Sequence, residues 1–276
     1  GDNNLVNQET IFEKHLRKLL EETPTSNHIK NLVSGYVAKP RSKNELLSQI
    51  ESGVIDNLPN TQDIRLDSQI HVLAGGHGAG KTSIALKIAA QLRNAYKHNV
   101  SIVSFGTNVG MNKSKLRALS DSLEIPNFYV KDPSELAKLL YLKQNNNIYI
   151  IDLESDSAQE AIPFIRGIYE QAQFHLVTPT DLSLPGFWVN CKLDKWDSII
   201  LTRLDSPLVP WAAIEALSKF KIPLSIGSNG SEITSGLVKV TKENISHRLT
   251  NYINDRIDEI TYEPSEKESL PARALH

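Results

Sequence analysis

The sequence has almost no cysteine, little net charge and no long apolar segment. Its 276 residues include one cysteine, Cys191, which excludes an internal disulfide and a cysteine-rich zinc site and favours a reducing, cytoplasmic setting. No apolar run approaches the roughly 20 residues of a transmembrane helix, and the polar start, Gly1-Asp2-Asn3-Asn4, shows no signal-peptide pattern. The net charge of −2 provides no strong field toward nucleic acid or anionic lipid, so we expect no direct binding to nucleic acid.

One short stretch carries a motif with specific chemistry. The segment Gly75-Gly76-His77-Gly78-Ala79-Gly80-Lys81-Thr82 fits G-x-x-x-x-G-K-[ST], the phosphate-binding loop or P-loop. A predicted strand precedes it and a predicted helix follows it, so backbone N–H groups and the positive helix end can meet phosphate oxygens. The motif predicts phosphate binding by Lys81 and Mg²⁺ binding by Thr82; a glycine-rich turn without a ligand is the alternative. The predicted nucleotide-binding residues of this stretch are Gly75, Gly78, Gly80, Lys81, Thr82 and Ser83.

Alternating apolar runs and helical stretches predict an α/β fold from about residue 68 onward. That alternation is typical of a mostly parallel sheet covered by helices, and the P-loop makes it a P-loop NTPase. Three apolar stripes at helical spacing before it, separated by Pro24 and Pro40, predict a small N-terminal helical bundle. The predicted organisation is an N-terminal helical domain at residues 1–62, a P-loop domain including the C-terminal helix at 63–262, and a disordered tail at 263–276.

Polar residues follow three predicted strands at the edge where such sheets bind ligands. Asp152 ends one strand, where a carboxylate supports Mg²⁺ in P-loop proteins; an ordinary helix-capping Asp would also fit. Asp205 follows another strand in Thr202-Arg203-Leu204-Asp205, which is similar to the [NT]-K-x-D motif of GTPases. In that motif the Asp accepts hydrogen bonds from guanine N1–H and the 2-amino group, a donor pair that adenine lacks. A glycine-rich turn after the last strand can bring backbone N–H groups to guanine O6. The predicted nucleotide-binding residues of these two loops are Thr202, Arg203, Asp205, Gly227, Asn229 and Gly230.

The order of these motifs resembles the signal-recognition-particle (SRP) GTPases, a family that comprises the SRP protein, its receptor and the flagellar SRP-like GTPase. The P-loop, Asp152, T-R-L-D at 202–205 in place of T-K-L-D, and G-S-N-G at 227–230 carry the resemblance, which covers residues 5–260. The stretch 222–233 is most similar to the flagellar member. The resemblance implies a helical N domain on a Ras-like G domain, with GTP or GDP and Mg²⁺ as ligands. It also implies pairing with a second copy or a related GTPase, and work at a cell pole or a membrane-bound apparatus for flagella or secretion, at the inner face of the membrane.

Two motifs of this family are altered here. Where the family has D-T-x-R, the sequence reads Phe105-Gly106-Thr107-Asn108, so the Asp that helps position the attacking water and the Arg that meets phosphate are both replaced. Where the family has D-T-A-G-R, it reads Asp152-Leu153-Glu154-Ser155-Asp156. Ser155 thus replaces the Gly whose amide senses the γ-phosphate, and two carboxylates are added near the expected phosphate.

Three functions are compatible with these motifs. The first is a divergent SRP-type GTP-binding protein, a nucleotide-dependent scaffold or targeting factor with weak or absent hydrolysis. The second is a working GTPase in protein targeting or in placement of a flagellum or secretion apparatus, which uses substitutes such as Thr107, Lys113 or Glu154. The third is an interaction protein that has lost nucleotide binding. An ATPase or kinase is disfavoured because Asp205 does not match adenine.

Overall fold

A computed structural model describes most of the chain. The described residues are 10–23, 25–35, 39–65, 68–107, 113–142, 146–207, 211–230, 232–233 and 235–262. Their helices are α1 (Ile11–Glu22), α2 (Asn27–Ser34), α3 (Lys43–Asn57), α4 (Lys81–Asn94), α5 (Lys113–Ser122), α6 (Pro133–Leu142), α7 (Ala158–Ile168), α8 (Leu184–Leu193), α9 (Trp211–Phe220) and α10 (Lys242–Tyr262), with a 3-10 turn at Ser155–Ser157. Their strands are β1 (Ile70–Ala74), β2 (Asn99–Phe105), β3 (Asn127–Val130), β4 (Asn147–Leu153), β5 (Gln173–Pro179), β6 (Ser198–Thr202), β7 (Leu224–Ser228) and β8 (Leu237–Lys239). None of the helices in this part of the chain has the length and apolar character needed to cross a bilayer.

The chain divides into two compact units. The first comprises Gly1–Asp56 and Ser246–His276, and the second comprises Asn57–Ile245. This division differs from the one based on sequence, which assigns the C-terminal helix to the P-loop domain. The reason lies in the tertiary contacts of α10, whose Ser246 hydroxyl donates to the Glu51 carbonyl of α3 over 3.0 Å. The local sequence of a terminal amphipathic helix does not specify against which of two cores the helix packs. The tail predicted to be disordered, 263–276, lies outside the described residues.

The first unit confirms three predicted N-terminal helices within its described residues. Helix α1 begins at a capping box, in which the Thr10 hydroxyl accepts from the Glu13 N–H at 3.2 Å and the Glu13 carboxylate accepts from the Thr10 N–H at 2.7 Å. The Ser26 hydroxyl caps α2 by accepting from the Ile29 N–H at 3.3 Å. Most of the predicted apolar positions are buried: Leu16, Leu19 and Leu20 of α1, Ile29, Leu32 and Val33 of α2, and Leu46, Ile50 and Val54 of α3. Ile11, which the first stripe includes, is instead 61% exposed. The first predicted stripe also includes Leu5 and the second also includes Tyr36, and both residues lie outside the described part of the chain.

The second unit is built on a mostly parallel sheet, as the sequence predicts. The described strands have the order β3-β2-β4-β1-β5-β6-β7-β8, and only β7 and β8 pair antiparallel. Strand β1 lies between β4 and β5, and Leu73 of β1 pairs with Asp152 of β4. The loop after β1 therefore emerges beside Asp152. Since parallel strands end at one edge of a sheet, the loops after β1, β4, β5 and β6 share that edge.

Helix α4 holds the loop after β1 against the sheet. Its residues Ile84, Ile88 and Leu92, which the sequence predicts as one apolar face, are at most 5% exposed and join a buried cluster with Ile102 of β2 and Ile150 of β4. The sequence patterns predict neither α7, α8 nor β8. Helix α7 has apolar residues at helical spacing, Ala158, Ala161, Ile162 and Ile165, but its internal Pro163 is a helix-breaking signal. Helix α8 opens with Leu-Pro-Gly and β8 has only three residues, so neither has the periodic pattern that identifies an element.

A chain of buried polar side chains crosses four neighbouring strands of this sheet. The Ser225 hydroxyl donates to the Ile199 carbonyl at 2.8 Å, and the Ser198 hydroxyl donates to Ser225 at 3.1 Å. Because Ser198 has used its proton, it accepts from Nδ1 of His175 at 2.7 Å, and Nε2 of His175 in turn accepts from Nδ1 of His71 at 3.1 Å. Both rings are 1% exposed, and His175 is neutral in this arrangement because its Nε2 accepts a hydrogen bond. Burial and the neighbouring His71 lower the pKa of His175 to about 3.

Candidate functional site

The loop between β1 and α4 has the backbone that its glycines make accessible. Gly78 and Gly80 have φ values of +68° and +95°, in the left-handed region that favours glycine. Gly75 is needed for a different reason, because a Cβ there would collide with the Val177 carbonyl of β5. The loop therefore lies close against the sheet and turns into α4 at Gly80.

Lys81 lies over the loop and is held by three acceptors. Its ammonium donates to the carbonyl oxygens of Gly75 and Gly76, at 3.0 Å each, and to the Ser155 hydroxyl at 3.2 Å. Burial lowers the pKa of Lys81 below its ordinary value, and the nearby carboxylates of Asp152 and Glu154 oppose part of this effect. The arrangement places a positive charge above a cradle of backbone, which suits an anionic ligand.

Thr82 and Asp152 come together although 70 positions separate them. The Thr82 hydroxyl donates to Oδ2 of Asp152 at 2.7 Å. Burial raises the pKa of the Asp152 carboxyl, and the Thr82 hydrogen bond and the Lys81 charge oppose this. Ser104 pairs with Asp152 in register on β2, and its buried hydroxyl has no hydrogen-bond partner among the described residues. Hydroxyl and carboxylate oxygens are the ligands that Mg²⁺ prefers, so these residues fit that ion.

Ser83, the last residue of the predicted P-loop set, lies half-buried in the first turn of α4. His77 occupies a variable position of the motif and is exposed. Its Nε2 lies 3.4 Å from Oδ1 of Asp156, and both side chains are more than 70% exposed. Pairs this exposed contribute little to stability.

The loop after β6 is joined to the P-loop by Thr202. Its hydroxyl donates to the Ala79 carbonyl at 2.7 Å, across a sequence separation of 123 residues, so the structure brings together two predicted segments that are distant in sequence. Arg203 has a φ of +55°, which turns the chain sharply after the strand. Asp205 is exposed at the tip of this turn, where its carboxylate can reach a ligand.

Two residues directly after β5, Thr180 and Asp181, support this turn, and neither is among the predicted site residues. The buried Thr180 hydroxyl donates to the Arg203 carbonyl at 2.8 Å and to the Thr202 carbonyl at 3.2 Å. Oδ1 of Asp181 lies 3.5 Å from the guanidinium of Arg203. A polar pair directly after a buried strand, on the ligand-binding edge of the sheet, was the available signal.

The loop after β7 brings its predicted residues close to α4. Lys87 of α4 is 4% exposed and donates to the Gly230 carbonyl at 2.7 Å and to the Ser235 hydroxyl at 3.3 Å. Asn229 is exposed beside it. Gly227 lies within β7, where a Cβ would approach the Leu201 carbonyl to 2.5 Å. Packing therefore accounts for Gly227, and its part in ligand binding stays a prediction, as do those of Asn229 and Gly230.

Comparison with known proteins identifies this arrangement at the level of the fold. No family profile and no curated protein matches the sequence. The structure of FlhF complexed with GTP/Mg²⁺ has 20% sequence identity and a TM-score of 0.70, over 86% of this chain and 99% of that chain. FlhF complexed with GMPPNP/Mg²⁺ has 16% identity and a TM-score of 0.74, over 87% and 100%. The signal recognition particle receptor FtsY from Elizabethkingia anophelis in complex with GDP has 16% identity and a TM-score of 0.62, over 88% and 80%.

The chain has the fold of an SRP-type GTPase. This fold confirms the predicted α/β P-loop architecture, and the sequence resemblance that pointed to it is confirmed at that level. At these identities the likeness extends to the fold alone, and the chemistry of the site depends on the residues of this chain.

Two loops of the SRP-type fold carry the altered motifs. Phe105 ends β2 and is 3% exposed, so its side chain packs in the core. A Cβ on Gly106 would collide with the Glu154 side chain, and the Glu154 N–H donates to the Phe105 carbonyl at 2.8 Å. The two loops are thus packed directly against each other. Asn108, the other altered position of the first motif, lies outside the described residues.

Proposed function

We propose that the protein is a divergent SRP-type GTP-binding protein that acts as a nucleotide-dependent scaffold or targeting factor and hydrolyses GTP weakly or not at all. The observation that carries the proposal is the P-loop itself, with the Lys81 ammonium above it and the Thr82 hydroxyl 2.7 Å from the Asp152 carboxylate. A lysine, a hydroxyl and a carboxylate in this arrangement suit a nucleotide phosphate with its Mg²⁺.

Each residue has a defined role in the proposal. Backbone N–H groups of the loop at Gly75, Gly78 and Gly80 cradle phosphate oxygens, and Lys81 binds the β- and γ-phosphates. Thr82 and Asp152 would hold Mg²⁺, which neutralises phosphate charge when bound. A phosphate near Lys81 would favour its charged ammonium, and a cation near Asp152 would favour its charged carboxylate. Both effects oppose burial, which favours the neutral form of each side chain.

The base assignment depends on the loop after β6. Asp205 accepts hydrogen bonds from guanine, and the turn that carries it is fixed to the P-loop through Thr202 and to β5 through Thr180. Arg203 can stack its guanidinium plane on the base. The loop after β7, with Asn229 and Gly230, closes the base site in this proposal. That FlhF binds GTP and GMPPNP with Mg²⁺ in the same fold supports guanine over adenine.

Weak hydrolysis is proposed from the altered motifs. Phosphoryl transfer depends on a positioned water and on neutralised charge at the γ-phosphoryl, and the buried Phe105 can do neither. Ser155 donates to the P-loop carbonyl of Gly75 at 2.9 Å. Loss of one transition-state contact typically costs about 10²–10³ in rate.

Glu154 favours a second candidate, an active SRP-type GTPase. Its carboxylate lies close enough to the Lys81 ammonium to oppose the lowering of its pKa, so it is a carboxylate near the expected γ-phosphate. A group there could position water in place of the missing Asp.

The partner and the location are also part of the proposal. We propose pairing with a second copy or a related GTPase, at a cell pole or a membrane-bound apparatus, with the protein in the cytoplasm or at the inner face of the membrane. The support is analogy of fold, together with a single, buried cysteine that suits a reducing compartment.

One titration separates these functions. GTP, GDP and ATP are titrated by calorimetry with and without Mg²⁺, and turnover is then measured with GTP, with and without a candidate partner. We expect guanine nucleotides to bind more tightly than ATP and turnover to be slow. Equal affinity for GTP and ATP contradicts the guanine assignment, and no binding at all favours the interaction protein. Brisk turnover that Lys81→Ala removes would establish the active GTPase instead.

A further inference from the structure

The side chain of Ser155, which stands where the SRP-type motif has a glycine, forms hydrogen bonds with the P-loop. Ser155 opens the 3-10 turn Ser155–Ser157 after β4, and its hydroxyl donates to the Gly75 carbonyl at 2.9 Å. The same oxygen accepts from the Lys81 ammonium at 3.2 Å. One hydroxyl therefore bridges the first residue of the loop and the lysine that follows it.

The hydrogen-bonding capacity of Lys81 is filled by these contacts. An ammonium has three N–H donors, and the three acceptors are the Gly75 and Gly76 carbonyls and the Ser155 hydroxyl. A phosphate oxygen that binds Lys81 must displace at least one of them. The two carbonyls belong to the loop itself, whereas Ser155 belongs to a different segment and can leave without unfolding the loop.

A second contact joins the same two segments. Asp156, the next residue of the turn, lies 3.4 Å from His77 at the tip of the P-loop. Both side chains are largely exposed, so this pair contributes little by itself. The His77–Asp156 contact shows that the 155–157 turn lies beside the P-loop at two residues, Ser155 and Asp156.

We propose that Ser155 competes with nucleotide phosphate for Lys81, so that its hydroxyl sets the affinity of the site. Binding then exchanges the Ser155 contact for a phosphate contact and frees the 155–157 turn from the loop. This inference rests on the proposed function, because it presumes that the P-loop binds nucleotide. It assigns Ser155 as a positioning residue that acts through Lys81.

Ser155→Ala tests the proposal, with Ser157→Ala as the matched control on the same turn and Ser155→Thr as the variant that keeps the hydroxyl. The Kd values of GTP, GDP and ATP are measured by calorimetry for the unmodified protein and each variant. A typical net hydrogen bond corresponds to about a three- to tenfold change in an equilibrium constant, so Ser155→Ala should bind GTP and GDP about three- to tenfold more tightly. Ser157→Ala and Ser155→Thr should match the unmodified protein.

The ratio of the Kd values for ATP and GTP distinguishes two effects of Ser155→Ala: loss of competition at Lys81, and a general loosening of the nucleotide site. Because Ser155 acts at the phosphate end, Ser155→Ala should leave this ratio unchanged. The inference is wrong if the unmodified protein binds GTP and Ser155→Ala binds it equally or more weakly. That result does not contradict the proposed function. If neither the unmodified protein nor Ser155→Ala binds any nucleotide, both this inference and the proposed function are wrong.

Discussion

Replacing His175 with Gln should remove most of the acid sensitivity that the buried histidine chain imposes on the second unit. Well above its ordinary pKa of 6.5, as at about pH 7.5, the His175 imidazole is largely neutral in both the folded and the unfolded chain. Burial and His71 lower its folded pKa from 6.5 to about 3, so between these values the unfolded chain binds more protons than the folded chain. The free energy of unfolding therefore falls as the pH is lowered through this window. For these two values, linkage gives a loss of about 2.7 kcal/mol between pH 7.5 and 4.5.

Urea unfolding at pH 7.5, 6.0, 5.0 and 4.5, followed by tryptophan fluorescence, measures this loss. The three tryptophans, Trp188, Trp196 and Trp211, all lie in the second unit, so the signal reports that unit. His175→Gln will be less stable at neutral pH, because it breaks the hydrogen bonds to His71 and Ser198; the pH slope, not the absolute stability, is the readout. His98→Gln, at a half-exposed position, is the control and should keep the slope. An equal slope in the unmodified protein and His175→Gln would refute the reasoning.

Three further predictions concern the site. Saturating GTP at 100 times its Kd should stabilise the unmodified protein by about 2.7 kcal/mol, and thermal melts should show that Lys81→Ala loses this gain. Asp205→Asn should weaken GTP binding by about 2–3 kcal/mol relative to ATP, as competition titrations would show; an unchanged GTP preference would remove Asp205 from the base site. Gly227→Ala should destabilise the second unit by about 1–3 kcal/mol, because its Cβ would approach the Leu201 carbonyl to 2.5 Å and Leu204 Cδ1 to 2.6 Å; a wild-type melting temperature would contradict this.

Local segments of the sequence predict much of the fold. The P-loop, its strand and its helix are contiguous, so hydrophobic period and glycine spacing suffice to identify them. The start of α6 is equally local. The sequence Asp132-Pro133-Ser134-Glu135 has a capping Asp followed by Pro at the first helical position, which predicts a helix start, and Asp132 accepts from the Glu135 N–H at 3.0 Å. Elements without a hydrophobic period, such as α8 with its Leu-Pro-Gly start, could not be found in this way.

The sequence by itself therefore determined which residues carry phosphate chemistry and that they follow parallel strands, because both depend on neighbours along the chain. Only the tertiary structure decided what those residues touch. The register of β1 against β4 brings Thr82 to Asp152, and the turn after β4 brings Ser155 to Lys81. The same holds for α10, which joins the first unit from Ser246 onward. Contacts between distant segments arise from strand order and packing, which no local pattern encodes.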